Sequence, residues 1–458
     1  MAIATVNPTT GVTERTFDPH GPDEVERRLV RAAQASDALR RTTFADRAGW
    51  MMSAAHLLED EVDTTSRVLT IEMGKTLASA RAEVLKCAKN MRFYAANSQA
   101  FLADEVLEDP STVGATSAKA VYQPLGIVLA VMPWNYPFWQ VIRFAAPALM
   151  AANVGVLKHA SNVPQTALYL DTLFTRGGFP EGAFSILLIG SAEVKAVIED
   201  RRIAAVTLTG SEPAGRSVAS IAGASLKKAV LELGGSDPFI VMPSADVAAA
   251  ATTAVAARTG NNGQSCIAAK RFIVHTDVYD DFRALFTERM SALRLGDPLE
   301  PDTDLGPVAT ESGRMDLAEL VDDALSHGAT ALVGGTLPSG PGWFYPATVI
   351  EGITPAMRLY QEETFGPVAS LYRVADAAEA LAVANVTDFG LSSNVWTTDA
   401  AERDFFTREL AAGAVFVNGM TISYPQLPFG GIKSSGYGRE LAAAGIREFC
   451  NLKTVWEA

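Results

Sequence analysis

Cysteine is scarce in this 458-residue chain, which has only Cys87, Cys266 and Cys450. Three thiols over that length cannot make the disulfide framework of a secreted protein, so reduced thiols in a cytoplasmic setting are expected. There is no C-x-x-C pair and no H-E-x-x-H. The five histidines (His20, His56, His159, His275, His327) lack metal-ligand spacing, so no metal site is expected. Positive charge is also short: 38 Lys and Arg face 52 Asp and Glu, a formal net charge of −14. A surface of that sign argues against a nucleic acid or an anionic membrane as partner. Long apolar runs are missing, and stretches such as 125–133 (LGIVLAVMP) fall far short of the roughly 20 residues a membrane span needs. The N-terminus, MAIATVNPTTGVTE, has no basic region followed by an apolar segment, so no signal peptide is expected. Nor does G-x-G-x-x-G follow any strand-like run, which excludes the ordinary dinucleotide fingerprint.

What is present reads as a soluble α/β protein of two or three domains. Residues 23–60 and 62–104 carry apolar residues at helical spacing and predict helices. The stretch 113–124 (VGATSAKAVYQP) alternates like an edge strand or a hairpin, with Lys119 on its solvent face. From 126 the rhythm becomes strand, helix, strand: GIVLAVMP, IRFAAPALMAA, NVGVLKH, VPQTALYLDTLFTRGG, AFSILLIG, AEVKAVIED, AAVTLTG. That alternation predicts a parallel sheet with helices on both faces. It restarts after LELGG (231–235) and predicts a second α/β unit. The tail, REFCNLKTVWEA, ends in a strand that could pair with 113–124 or with another subunit.

Four places carry candidate chemistry. In GNNGQSC (260–266), Cys266 lies among glycines, asparagines and a glutamine, a polar loop that Gly260 and Gly263 loosen. It is either a small core residue or a nucleophile whose thiolate the surroundings stabilise. Cys87 reads as packing in a helix. Glu232 in VLELGGSDP stands in an apolar strand end, either as a satisfied structural carboxylate or as a general base tuned by burial. TLTGSEPAGR (207–216) runs from a strand through Gly210 and Ser211 into a helix, a plain cap or a phosphate site. In PWNYP (133–137), Asn135 sits between rigid neighbours, in a Pro-bounded turn or as a fixed oxyanion donor.

These segments, together with a strand ending in Lys158, TGS at 209–211, EETFGPV at 362–368 and PFGGIKSSGYGRE at 428–440, resemble the aldehyde dehydrogenase superfamily in order and over nearly the whole chain. The resemblance implies that Cys266 is the nucleophile, forming first a thiohemiacetal and then a thioester. It implies that Asn135 is an oxyanion donor with the cysteine's own backbone N–H, and that Glu232 activates water to release a free acid. A cysteine hydrolase working without nicotinamide is the different-class alternative. The fold implied is a Rossmann-like cofactor domain (1–110 and 126–234, rejoined by about 430–446), an α/β catalytic domain (235–429) and a β-hairpin oligomerisation arm (111–125 and 447–458). A homodimer or homotetramer is the implied assembly.

The resemblance also implies that Trp134, Asn135, Lys158, His159, Ser161, Gly210, Ser211, Leu233, Glu363 and Phe365 hold the cofactor. Ser161 stands where NAD-preferring relatives have Glu, and Lys158 adds positive charge, so NADP is expected, with NAD weaker. Arg143, at the spacing seen in succinate-semialdehyde dehydrogenases, is expected to clamp a substrate carboxylate, with Tyr136 and Ser423 nearby. Tyr424 is the alternative to Ser423. Most like the chain is the bacterial NADP-dependent branch of those enzymes, with another semialdehyde or an uncharged aldehyde as alternative substrate. The run Cys266-Ile267-Ala268 lacks a second thiol, so no disulfide switch is expected in this loop. The glycines and asparagines before it are expected to let the thiol swing.

Overall fold

The computed structural model of the chain describes residues 2–458. Runs of buried β-branched residues on both strand faces, as in IVLAVM and VGVLKH, build a six-stranded sheet. In spatial order its strands are Gly436–Tyr437, Lys228–Glu232, Ile203–Thr209, Ile127–Met132, Val154–His159 and Phe184–Ile186. All neighbours are parallel except Gly436–Tyr437, which runs antiparallel along the edge. The chain leaves Ile127–Met132 in one direction for Val154–His159 and Phe184–Ile186, then crosses back to Ile203–Thr209 on the other side. The crevice at such a reversal, beyond the carboxyl ends of the strands, is where open α/β sheets bind ligands. Pro133–Tyr136 and Gly210–Ser211 follow those ends.

A seven-stranded sheet makes the second layer. Its order is Thr330–Val333, Thr348–Glu351, Val368–Val374, Ala269–His275, Asp237–Val241, Ser393–Trp396 and Val415–Val417. Only the first pair is antiparallel. The chain passes from one sheet to the other at Leu233–Ser236. Leu233 N donates to Ser435 O and Gly235 N to a Glu363 carboxylate oxygen, so this crossing is tied from both sides.

The N-terminal helical region is more divided than the sequence pattern suggests. Pro22–Leu39 stops before Phe44–Asp60, which starts on a reciprocal cap between Thr43 and Asp46. Val62–Met73 stops at Gly74, whose φ is +81° and where a Cβ would sit 2.5 Å from Pro307 O. Leu77–Phe101 follows. A hairpin of Ile3–Asn7 and Val12–Phe17, which the sequence reading lacks, packs beside the third helix. The 113–124 stretch is not an edge. Its strand Ser117–Pro124 lies in the middle of a three-stranded sheet, paired along its length with the tail strand Cys450–Glu457 and at one end with Glu105–Val106.

Candidate active site

The turn Pro133–Pro137 is clamped from the helix Leu77–Phe101. Glu83 on that helix is fully buried and accepts hydrogen bonds from the backbone N–H of Phe138 (2.8 Å) and Trp139 (2.9 Å). A carboxylate thus satisfies the open N-terminus of the helix Trp139–Met150, which has no side-chain cap of its own. The Lys75 ammonium pairs with Glu83 and lies 4.3 Å over the Tyr136 ring. Asn135 is held between these groups and the cysteine loop. Its Nδ2 donates to Gln264 O at 3.2 Å, and its backbone carbonyl accepts from Asn261 Nδ2 at 2.9 Å. One amide hydrogen of Asn135 remains uncommitted.

The backbone of the cysteine loop is anchored on several sides. Asn261 and Asn262 both adopt left-handed backbone conformations (φ 59° and 56°), which asparagine tolerates better than most residues. Asn262 Nδ2 donates to Gly74 O and Pro307 O, and its Oδ1 accepts from Gly306 N. Gln264 Oε1 accepts from Ala309 N. Gly263 has φ +73°, and a side chain there would run into the Gly366–Pro367 backbone. Beneath the turn the buried Lys270 ammonium donates to Ser265 O (3.0 Å) and Cys266 O (2.8 Å) and lies 3.2 Å from Glu363.

A cavity of about 260 Å³ opens beside this loop. Trp134, Asn135, Gly210, Ser211, Leu233, Cys266, Glu363 and Phe365 all line it, so segments far apart in sequence share one space. The helix Glu212–Ala224 begins at its wall, with Ser211 as N-cap making no side-chain cap bond. Gly215 has a specific reason: a Cβ there would lie 2.6 Å from the Leu233 side chain. The chemistry of these walls suits one end of a dinucleotide. Helix N-terminal amides suit its phosphates, and Leu233, Trp134 and Phe365 offer flat apolar surface.

Seven expected residues do not line this cavity: Tyr136, Arg143, Lys158, His159, Ser161, Glu232 and Ser423. His159 is buried, with Nε2 3.0 Å from Pro137 O and Nδ1 accepting from Ala160 N. Its ring braces the PWNYP turn and does not line this cavity. Burial pulls its pKa down to about 4, so it is neutral. Lys158 is buried at the strand end, its pKa lowered by burial and partly restored by Glu193. Arg143 is not a free clamp. Its guanidinium pairs with Glu440, stacks 4.7 Å over the Phe429 ring and faces Thr209 Oγ1 at 3.5 Å. Burial and an existing carboxylate partner correct the expectation that it receives a substrate carboxylate directly.

Electrostatics tie Arg143 to the candidate chemistry all the same. Burial pushes the Cys266 thiol up to about 12, while Arg143 and Lys270 pull the other way. Glu232 is buried, and both its carboxylate oxygens lack a hydrogen-bond partner. Burial raises its pKa well above the usual range, and the nearby Glu440 carboxylate raises it further, against Arg143 and Arg439. The Glu232 carboxyl lies beside the Gly430 backbone. Sequence reasoning missed Lys75, Glu83, Lys86, Asn261, Asn262, Lys270 and Glu440. Only the asparagine pair carried a local signal, since adjacent asparagines favour left-handed turns.

Known proteins match this arrangement over its full length. The family model described as "Aldehyde dehydrogenase family" matches residues 1–455. A protein of Mycobacterium avium (strain 104), named succinate-semialdehyde dehydrogenase [NADP(+)], is 62% identical over 457 residues, covering 100% of this chain and 97% of that one. One of Mycobacterium tuberculosis (strain H37Rv), named succinate-semialdehyde dehydrogenase [NADP(+)] 1, is 60% identical over 458 residues and covers 100% of both. The crystal structure of succinic semialdehyde dehydrogenase from Streptococcus pyogenes in complex with NADP+ superposes with a TM-score of 0.96 at 35% identity, covering 99% of each chain. Full-length identity of this order, on one fold, makes the chain a member of the aldehyde dehydrogenase family.

Proposed function

We propose that this chain oxidises succinate semialdehyde to succinate with NADP as hydride acceptor. The observation that carries the reading is the single cavity shared by Asn135, Gly210, Ser211, Leu233, Cys266 and Glu363, in a chain 60–62% identical along its length to enzymes named for that reaction. Cys266 is the nucleophile. Its thiol gives its proton to solvent water as the sulfur bonds to the aldehyde carbon, while Asn135 Nδ2 and the Cys266 backbone N–H hold the oxygen that takes up negative charge. The bound dinucleotide supplies the acceptor for the hydride that the carbon loses, which leaves a thioester on Cys266. Glu232 takes a proton from water, the oxygen adds to the thioester carbon, and the C–S bond breaks to return the thiolate and release the acid. Burial and the Glu440 carboxylate favour the protonated form of Glu232, which acts as base only once deprotonated, so acid release should speed up as pH rises.

Trp134, Gly210, Ser211, Leu233, Glu363 and Phe365 would hold the cofactor. Ser161 and Lys158, with no glutamate at 161 to repel a 2′-phosphate, favour NADP over NAD. A crossed assay tests the reading: NADP and NAD, each with succinate semialdehyde and two uncharged aldehydes, followed by near-UV absorbance of the reduced nicotinamide. Succinate semialdehyde with NADP should give the highest kcat/KM, and an uncharged aldehyde matching it would defeat the proposal. Ser161→Glu should lower affinity for NADP more than for NAD; an equal loss would sink the cofactor argument.

Self-association belongs to the same reading. The tail strand Cys450–Glu457 is an edge of its three-stranded sheet and exposes Leu452 and Trp456. An edge of this length and apolarity is normally covered by another strand or another copy. No helix of the described residues is long and apolar enough to cross a membrane. With three free thiols, the cytoplasm is the compartment we assign, checked by cell fractionation.

A further inference from the structure

A second group of side chains lies outside the dinucleotide cavity. Lys86, on the helix Leu77–Phe101, donates from Nζ to Ser423 Oγ at 2.7 Å, and the same ammonium sits 4.0 Å over the Trp139 ring. Ser423 and Trp139 are both buried, while the Lys86 side chain keeps partial access to solvent. Among the described residues no carboxylate pairs with Lys86, whereas Arg143, one turn along from Trp139, is taken by Glu440. Lys86 is near enough to Cys266 and Arg143 for their charges to act on it. None of Lys86, Trp139 and Ser423 lines the cavity that ends at Cys266, so they stand apart from the dinucleotide's approach to the thiol.

An ammonium that is anchored, part-desolvated and free of a carboxylate is a receptor for an anion. The Ser423 hydroxyl that accepts from Lys86 can donate its own proton to the same oxygen, and the Trp139 face holds the ammonium in place. We propose that Lys86, with Ser423, receives the distal carboxylate of the aldehyde acid and so sets the enzyme's preference for a charged substrate. The inference rests on the semialdehyde reading above and assigns to Lys86 the contact that the sequence alone assigned to Arg143. Arg143 acts instead as a positioning residue, its charge shared between Glu440 and the Cys266–Glu232 pair.

The test compares wild type, Lys86→Met and Lys86→Arg on succinate semialdehyde and on butanal, at saturating NADP. Lys86→Met keeps the apolar stem over Trp139 and removes the charge. Its ratio of kcat/KM for succinate semialdehyde over butanal should fall at least tenfold, with the change in the KM for succinate semialdehyde. Lys86→Arg should keep that ratio within about threefold of wild type. A Lys86→Met ratio equal to wild type, or a loss that strikes both aldehydes alike, overturns the assignment. A wild type with no preference for succinate semialdehyde defeats the semialdehyde reading itself. A wild-type preference that survives in Lys86→Met defeats only the role of Lys86. Circular dichroism and the thermal midpoint show whether Lys86→Met folds, and Ser423→Ala, which leaves the ammonium in place, should lower the same ratio by a smaller factor.

Discussion

At the scale of single residues, charges facing one another across short gaps decide the behaviour of the site. Burial pulls the Lys86 pKa down to about 8, helped by Arg143 on the facing helix and opposed by Cys87 and Glu83 on its own helix and by Cys266 across the gap. Lys86 is therefore charged below about pH 8 and neutral above it. The KM for succinate semialdehyde should climb as pH passes that value, and Lys86→Arg, which stays charged, should remove the climb. An identical profile in the two proteins would contradict the assignment. Asn262 offers a stability test of the cysteine loop. Asn262→Ala loses three buried hydrogen bonds and places alanine at φ 56°, so about 2–4 kcal/mol of unfolding free energy should disappear in urea titrations.

At the scale of elements, the site depends on how two helices and two strand ends are held. Glu83 joins Leu77–Phe101 to the start of Trp139–Met150, and the buried Lys75 ammonium pairs with that carboxylate. Glu83→Ala would leave a buried lysine unpaired and free the first amides of a helix whose twelve residues are all buried. A loss of roughly 3–5 kcal/mol is expected by denaturant unfolding, of the size seen when one partner of a buried ion pair is removed. The strand–helix alternation of both sheets was legible in the sequence because apolar runs of strand length alternate with helical periods. The Arg40–Thr43 and Gly74 breaks were not. Helical spacing continues across them, and the close approach of Pro307 that demands Gly74 comes from residues distant in the chain.

At the scale of the molecule, the crossing between the sheets carries a pH dependence. Asp237, at the first strand position after Leu233–Ser236, is buried with Oδ1 accepting from Ser392 N and Oδ2 unpartnered. Burial raises its pKa from 3.8 to about 7. A raised carboxyl pKa means the folded state holds the proton longer than the unfolded state. The stability it contributes is complete below about pH 4 and is lost as pH rises through about 7. Thermal midpoints should fall between about pH 5 and about pH 8, and Asp237→Asn should flatten that fall. The tail strand carries the assembly prediction. Deleting residues 450–458 strips its cover from Ser117–Pro124 and should convert a multimer into monomers by analytical ultracentrifugation. A wild-type monomer would remove the arm's role.

By itself the sequence determined the fold class and the positions of the thiol, the amide and the carboxylate. Short segments with special backbone or side-chain demands (PWNYP, TGS, LELGG, GQSC) are local, and local demands are written in neighbouring residues. Only the tertiary structure decided which charges are free. Arg143 reads as an available clamp in the sequence and Lys86 carries no signal there, but Glu440, nearly 300 residues from Arg143, lies against Arg143 and not against Lys86. His159 reads as a cofactor contact, and its ring is found against Pro137 O. The loop around Cys266 reads as loose, and Gly74, Gly306 and Pro307 are found holding Asn262. The physical reason is common to all three: a side chain's charge, tautomer and freedom depend on what desolvates and pairs with it, and those partners come from elsewhere in the chain.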